Sequence, residues 1–465
     1  MEKIERSRKM EDRYLFLKGC KVVTVNSGDD IIDGGVVVTK NDRIDFVGTE
    51  EEASRKYEDI PYELMEYENG MILPGLVTSH THLFQSLMKG IGCTLNLDDW
   101  VTKVIYPMSM VMNFDDCYNA GRLNISEMIR TGTTCFADSH YIVQKDENFD
   151  GMAAAAKETG IRAVLCRATQ NMKYHPDVPA EAIEDTETAL AKTESCIKKY
   201  HLTETGRIRV GVEPITPIDC NAETIKGLFA LAEKYDTLFQ CHAAESIGEL
   251  TIVKNAHKMG IMEYMHSLGV LSPRTMMIHS IWISAKEQQQ LADTKTNVSH
   301  QPLANMILGD GIAPIPELLS RGVNVGIGVD GAASNNNQDM VESLKATALL
   351  HRVHTLDAGV LSAYDVLKMG TMGSAKCLGL DQEIGSLEVG KKADIVVVDT
   401  GSLHLTPAID PITNMIFSGN GRDVDTTIVD GKVLLKGKRF TSLDEQEVVE
   451  RARKSAEKMY TNVVL

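Results

Sequence analysis

Apolar and polar positions along this chain follow two different periods. Between about residues 70 and 380, short apolar runs recur, each followed by a stretch with apolar residues at helical spacing. Eight runs read as strands: 71–80 (MILPGLVTSH), 133–141, 162–170, 207–216, 237–246, 276–284, 296–304 and 323–334. Amphipathic segments such as 223–235 (ETIKGLFALAEKY) and 314–322 (PIPELLSRG) lie between them. Strand–helix alternation predicts a parallel sheet, and eight strands are the number that closes one. The expected fold class is therefore α/β, a (β/α)8 TIM-like barrel over residues 71–380. A doubly wound open sheet is the rival, but no G-x-G-x-x-G follows the first strand.

Outside that stretch the apolar runs are shorter and broken by turn residues. Residues 14–48 carry Asp33-Gly34-Gly35 and Asn41-Asp42, and Asp430-Gly431 marks a hairpin within 424–440. Strand-rich segments at both ends predict one small β-sandwich module, assembled from residues 1–70 and 381–465 and finished by a polar helix near the C-terminus.

Composition changes the picture in two ways. With 48 basic against 65 acidic residues the net charge is −17, which argues against nucleic acid or an anionic membrane as partner. Nine cysteines are scattered without a C-x-x-C, as expected of free thiols in a reducing cytosol, and Cys241 reads as packing. The opening segment MEKIERSRKMEDRY has no apolar core, and no 18-residue apolar run occurs, so the expectation is a cytoplasmic, unanchored protein.

Candidate chemistry collects at the strand ends. His80 and His82 are two apart, so a strand aims both imidazoles to one side. If the barrel closes, His242 on strand five, His279 on strand six and Asp330 on strand eight converge with them. Histidines with an aspartate suit one divalent metal, Zn2+ with Fe2+ as the alternative. Glu245, three residues after His242 in HAAE, is the candidate general acid/base. His279 is either a further ligand or a group that steadies the attacking water, and Asp330 could both ligate and orient that water. The other candidates divide between site and scaffold. Trp100 could stack on a flat ring or anchor a lid. Arg167 could hold an anionic group or form a salt bridge. His300 could support the site or the fold, and Asn335 to Asn337 read as a polar loop capping the next helix.

PGLVTSHTH, HAAES, the histidine of IHSIWIS and GVDGAASNNNQDM together resemble the amidohydrolase superfamily, in the branch of adenosine-derivative deaminases, guanine deaminases and triazine hydrolases. The resemblance spans nearly the whole chain. It implies a distorted (β/α)8 barrel and one metal on His80, His82, His242 and Asp330. Glu245 and His279, with Asp330, would then be the catalytic groups, and the chain a homo-oligomer. No lysine ends strand four, where binuclear relatives carry a carboxylated one, so a single metal is expected. Gln85, Trp100, Arg167 and Ser334 are the implied substrate contacts. The implied reaction is hydrolytic removal of ammonia from an amino-substituted nitrogen heterocycle. Removal of chloride or alkylamine from a triazine, or deamination of methylthioadenosine or adenosylhomocysteine, is the alternative; a metal-free scaffold is the remote one.

Two departures bear on substrate. The thioether-nucleoside deaminases place a ribose-binding glutamate where this chain has Ser109 in YPMS, and a histidine where it has Ile215 in PITP. A compact free heterocycle is therefore expected to outperform those nucleosides, unless Asp98 or Asp99 replaces the glutamate. The zinc deaminases that act on flipped bases do not match, since neither H-x-E nor P-C-x-x-C occurs.

Overall fold

The computed structural model describes residues 12–143 and 145–463, so most of the charged N-terminal segment lies outside the described residues. Its centre is a parallel sheet curled into a TIM-like barrel. The strands are Leu76–His82, Thr133–His140, Arg162–Thr169, Ile208–Pro214, Phe239–Ala243, Thr275–His279 and Asn297–His300, each hydrogen-bonded to the next. The eighth strand comes in two pieces. Val325–Ile327 pairs with the seventh, and Asp330–Gly331 pairs with the first, so the sheet closes on itself. The switch between them is at Gly328, where a Cβ would sit 2.3 Å from Gln301 Oε1 and 2.8 Å from the His80 carbonyl.

The first strand differs from its sequence reading. Residues 71–80 are not one strand: Gly70–Pro74 belongs to a second sheet, and the barrel begins at Leu76. Gly75 permits the change, because a Cβ there would lie 2.0 Å from Thr134 Oγ1. The seventh and sixth strands are also shorter than read. Asn297–His300 gives way to a helix opened by Pro302, and Thr275–His279 stops where His279 and Ser280 take positive φ of 67° and 52°.

Two further sheets are built from the chain's ends. A four-stranded sheet runs in the order Arg43–Thr49, Gly35–Lys40, Tyr14–Lys18, Glu63–Glu66. A seven-stranded sheet joins Lys21–Val23, Ile31–Asp33 and Gly70–Pro74 to Ile395–Asp399, Val424–Val429, Lys432–Lys436 and Arg439–Phe440. Leu15, Leu17 and Val37 of the first sheet pack on Val22, Ile72, Ile395 and Ile428 of the second, which is the sandwich core. Asn41-Asp42 and Asp430-Gly431 turn hairpins, but Gly34 passes the chain from one sheet to the other. The C-terminal helix Glu445–Asn462 lies on the helix Phe114–Arg130, with Ser455 accepting from Asn119 at 3.1 Å and Glu447 from Arg122 at 3.2 Å. No described helix is long and apolar enough to cross a membrane.

Candidate metal centre and active site

The C-terminal strand ends meet at the floor of a cavity that holds about 830 Å³ of empty space, its open mouth included. His80 and His82 leave the first strand with Nε2 atoms 3.2 Å apart. Asp330 reaches them from the eighth strand, its Oδ1 lying 3.4 Å from His80 Nε2 and 3.3 Å from His82 Nε2. A positive φ of 61° at Asp330 turns that carboxylate inward. His242 completes the group, since ligand atoms of His80, His82 and His242 lie within 4.8 Å of one another.

These spacings fit a metal. A tetrahedral ion with ligands about 2.0–2.1 Å away separates those ligands by roughly 3.3–3.4 Å, which is what His80, His82 and Asp330 show. The tautomers fit as well. His82 Nδ1 donates to the Ser139 carbonyl at 2.7 Å and His242 Nδ1 to the Ile215 carbonyl at 3.1 Å, which leaves both Nε2 lone pairs facing the centre. Burial pushes the His80 imidazolium down to about 3 and that of His242 well below its ordinary value, so both rings are neutral, as ligands must be. Burial works downward at His82 too, but there the Asp330 carboxylate prevails and the net direction is up. Asp330 itself is held well below the carboxylate range: burial opposes ionisation, and the close imidazoles of His80 and His82 overcome it.

Glu245 and His279 form the other half of the site. Glu245 stands two residues past the fifth strand, with His279 Nε2 3.4 Å from its Oε1. His279 Nδ1 meets Asn305 Oδ1 at 2.8 Å, so its Nε2 is free to accept a hydrogen bond. Burial, then the carboxylates of Asp310 and Asp330, pushes the Glu245 carboxyl well above its ordinary value. A carboxyl poised to hold a proton, beside an imidazole that accepts one, can pass protons at the cavity floor.

The sequence-read substrate contacts divide. Trp100 and Ser334 line the cavity. Gln85 and Arg167 do not. Gln85 is buried beneath Gly331 and donates to the hydroxyl of Tyr141, which does line the cavity. Arg167 is turned to Glu184, whose oxygens its Nη2 meets at 2.7 and 2.8 Å. His300 lies off the cavity, Nε2 to Nε2 with His351 at 3.3 Å. The helix after the Asn335 to Asn337 loop is capped by Asp339, while Asn335 holds the Val329 carbonyl at 2.7 Å.

Several site residues had no signal in the sequence. Tyr106, Tyr141 and Tyr174 line the cavity from three separate segments, together with Asp219 and Glu249; Asp98, named from the sequence, lines it as well. Glu213, inside the fourth strand, lies 3.2 Å from His242 Nδ1. An in-strand glutamate with an aromatic-poor neighbourhood reads as surface until the barrel places it. Only its position in an apolar run, GVEP, set it apart.

Comparison with known proteins agrees with this geometry. The model of the amidohydrolase family matches residues 71–434. The chain is 35% identical over 451 residues to the 5'-deoxyadenosine deaminase of Methanobrevibacter smithii, covering 97% of this chain and 99% of that protein. It is 34% identical over 449 residues to the 5-methylthioadenosine/S-adenosylhomocysteine deaminase of Desulforudis audaxviator, covering 97% and 100%. Among solved structures it resembles the zinc-bound adenosine deaminase of Xanthomonas campestris, with a TM-score of 0.89 at 25% identity and coverage of 96% and 98%. The zinc complex of the atrazine chlorohydrolase of Arthrobacter aurescens shares the fold, with a TM-score of 0.90 at 24% identity and coverage of 95% and 100%.

Proposed function

The chain belongs to the amidohydrolase family, and on that premise we propose that it is a metal-dependent deaminase of adenosine derivatives altered at the 5' position. One observation carries the reading: three histidines and Asp330 converge within ligand spacing, next to the facing pair Glu245 and His279.

In this reading His80, His82, His242 and Asp330 hold a zinc ion, supported by the donor set and by zinc in the two solved relatives. The ion supplies Lewis acidity, bringing the pKa of a water toward 7. Glu245 takes a proton from the attacking water and delivers it to the ring nitrogen beside the amino-bearing carbon. His279, oriented by Asn305, accepts a hydrogen bond at Nε2 and steadies the oxygen as it adds. A second proton passed through Glu245 lets ammonia leave, and the ring keeps the oxygen as a carbonyl.

The order of substrates expected from Ser109 and Ile215 is reversed in this proposal. The named activities of the relatives support a nucleoside, and Asp98 supports it from the cavity wall as an acceptor for the ribose hydroxyls. Asp99 is the weaker candidate, being paired with Lys103 at 2.6 Å. Tyr106, Tyr174 and Trp100 supply flat surface for a purine. A reducing cytosol is part of the proposal, supported by nine free cysteines. So is a homo-oligomer, supported by the family resemblance.

The test is ammonia release from 5'-deoxyadenosine, methylthioadenosine, adenosylhomocysteine, adenine and an aminotriazine. Higher kcat/KM for the nucleosides supports the proposal, and higher kcat/KM for the free rings overturns it.

A further inference from the structure

Glu213 is fully buried inside the barrel, and no step proposed above uses it. It sits one residue before the end of the strand Ile208–Pro214. Its oxygens are met from the two flanking sides of the barrel, by the second strand and the fifth: Ser139 Oγ donates to Oε1 at 2.7 Å, Gln240 Nε2 donates to Oε2 at 2.6 Å, and His242 Nδ1 lies 3.2 Å from Oε1. A carboxyl withdrawn from water is a costly thing to keep in a barrel core, and packing alone would be served as well by an apolar side chain.

We propose that Glu213 is a positioning residue of the metal centre, holding the His242 ring and tying it through Ser139 to His82. Ser139 is the link. Its carbonyl accepts from His82 Nδ1 at 2.7 Å while its hydroxyl donates to Glu213. His82 and His242 stand on the first and fifth strands, which do not neighbour each other in the sheet. One continuous run of polar contacts nevertheless spans them, anchored on the second and fourth strands. The Ser139 carbonyl takes the His82 Nδ1 proton and the Ile215 carbonyl that of His242; the Glu213 carboxyl, 3.2 Å from His242 Nδ1, adds an acidic neighbour beside that donor and so favours the tautomer whose Nε2 lone pair points inward. A carboxylate beside Nδ1 also makes the ring a stronger donor to a cation. The inference rests on the reading of His80, His82, His242 and Asp330 as metal ligands.

The variant E213Q keeps the shape and removes the charge. Gln240 Oε1 has no partner among the described residues, so a turn of that amide can receive the new N–H and the fold is preserved. Two quantities are read: Zn2+ affinity by competition with a chelator, and the melting temperature of the metal-free protein. Affinity is expected to fall roughly 10- to 100-fold, with metal-free melting unchanged. S139A is expected to weaken affinity less, and to add nothing in the E213Q background, because its hydroxyl acts through Glu213. Should E213Q not fold, S139A reads the same link. Wild-type affinity in E213Q, or a loss accompanied by an equal fall in metal-free stability, overturns the inference and leaves the metal reading standing. A wild-type protein that takes up no Zn2+ overturns both.

Discussion

Glu245 Oε1 lies 3.4 Å from His279 Nε2, across the ends of two hydrogen-bonded strands of the barrel. Each group is set up by a different neighbour. Burial raises the affinity of the Glu245 carboxylate for a proton, and Asn305 keeps the facing lone pair of His279 available. E245Q should retain the metal and lose roughly 10²- to 10⁴-fold in kcat, since the amide has the shape but cannot accept the proton. Metal content and kcat measured on the same preparation check this, and a variant within a few-fold of wild type would place the base elsewhere.

Metal stoichiometry follows from the donor set. His80, His82 and His242 make one group, joined by Asp330 through its contacts to His80 and His82, and the fourth strand ends in Glu213 and Pro214 with no lysine to bridge a second ion. Elemental analysis should find about one equivalent per chain. Removal by a chelator should abolish ammonia release, and Zn2+ should restore it; two equivalents would contradict the assignment.

The acceptor for the ribose hydroxyls is testable by a pair of neighbours. Asp98 lines the cavity, whereas Asp99 is engaged by Lys103 one helical turn on. D98A should raise KM for a nucleoside roughly 10- to 100-fold, the scale of a lost hydrogen bond to a charged group. D99A should change it little, because exposed i,i+4 pairs are weak. Equal effects would remove Asp98 from the substrate site.

Among the described residues no lysine or arginine lines the cavity, and Arg167 is paired with Glu184. The amino-acid arm of adenosylhomocysteine brings an ammonium, which an acidic cavity can meet, and a carboxylate, for which no described lining residue supplies a cation. Adenosylhomocysteine should therefore show kcat/KM roughly tenfold or more below methylthioadenosine. Parity between the two would mean that a cation reaches the substrate after all.

Asp219 makes stability depend on pH. Burial pushes its carboxyl from an ordinary value of 3.8 up to about 7. The folded state thus binds this proton more tightly than the unfolded state does. Its contribution is complete below about pH 4 and is lost as pH rises through about 7, at about 1.4 kcal/mol per pH unit in between. D219N should narrow the difference in melting temperature between about pH 5 and about pH 8, and an unchanged difference would assign it to other groups.

The barrel was legible in the sequence because apolar runs buried on both faces leave a plain periodic trace, and because His80, His82, His242, His279 and Asp330 all close such runs. The sheet change at Gly75 was not, since it is set by Thr134, fifty-nine positions later, occupying the space of a side chain. That Gln85 and Arg167 lie off the cavity lining was illegible for a related reason. Sequence puts a polar residue near a strand end but does not say which way a buried partner, Tyr141 or Glu184, will turn it. Glu213 was invisible because an isolated glutamate in a strand has no period of its own.

The two-piece eighth strand gives the barrel a joint. Only Asp330 with Thr81 and Gly331 with His82 pair across it, fewer residues than join any of the first three strands to its successor. Asp330 stands on one lip of that joint, and His80 and His82 stand on the other. A cation gripped by all three is therefore a clasp as well as a reagent. Whatever tightens it draws the cylinder shut, and the ion's affinity and the barrel's resistance to springing open become two readings of one quantity.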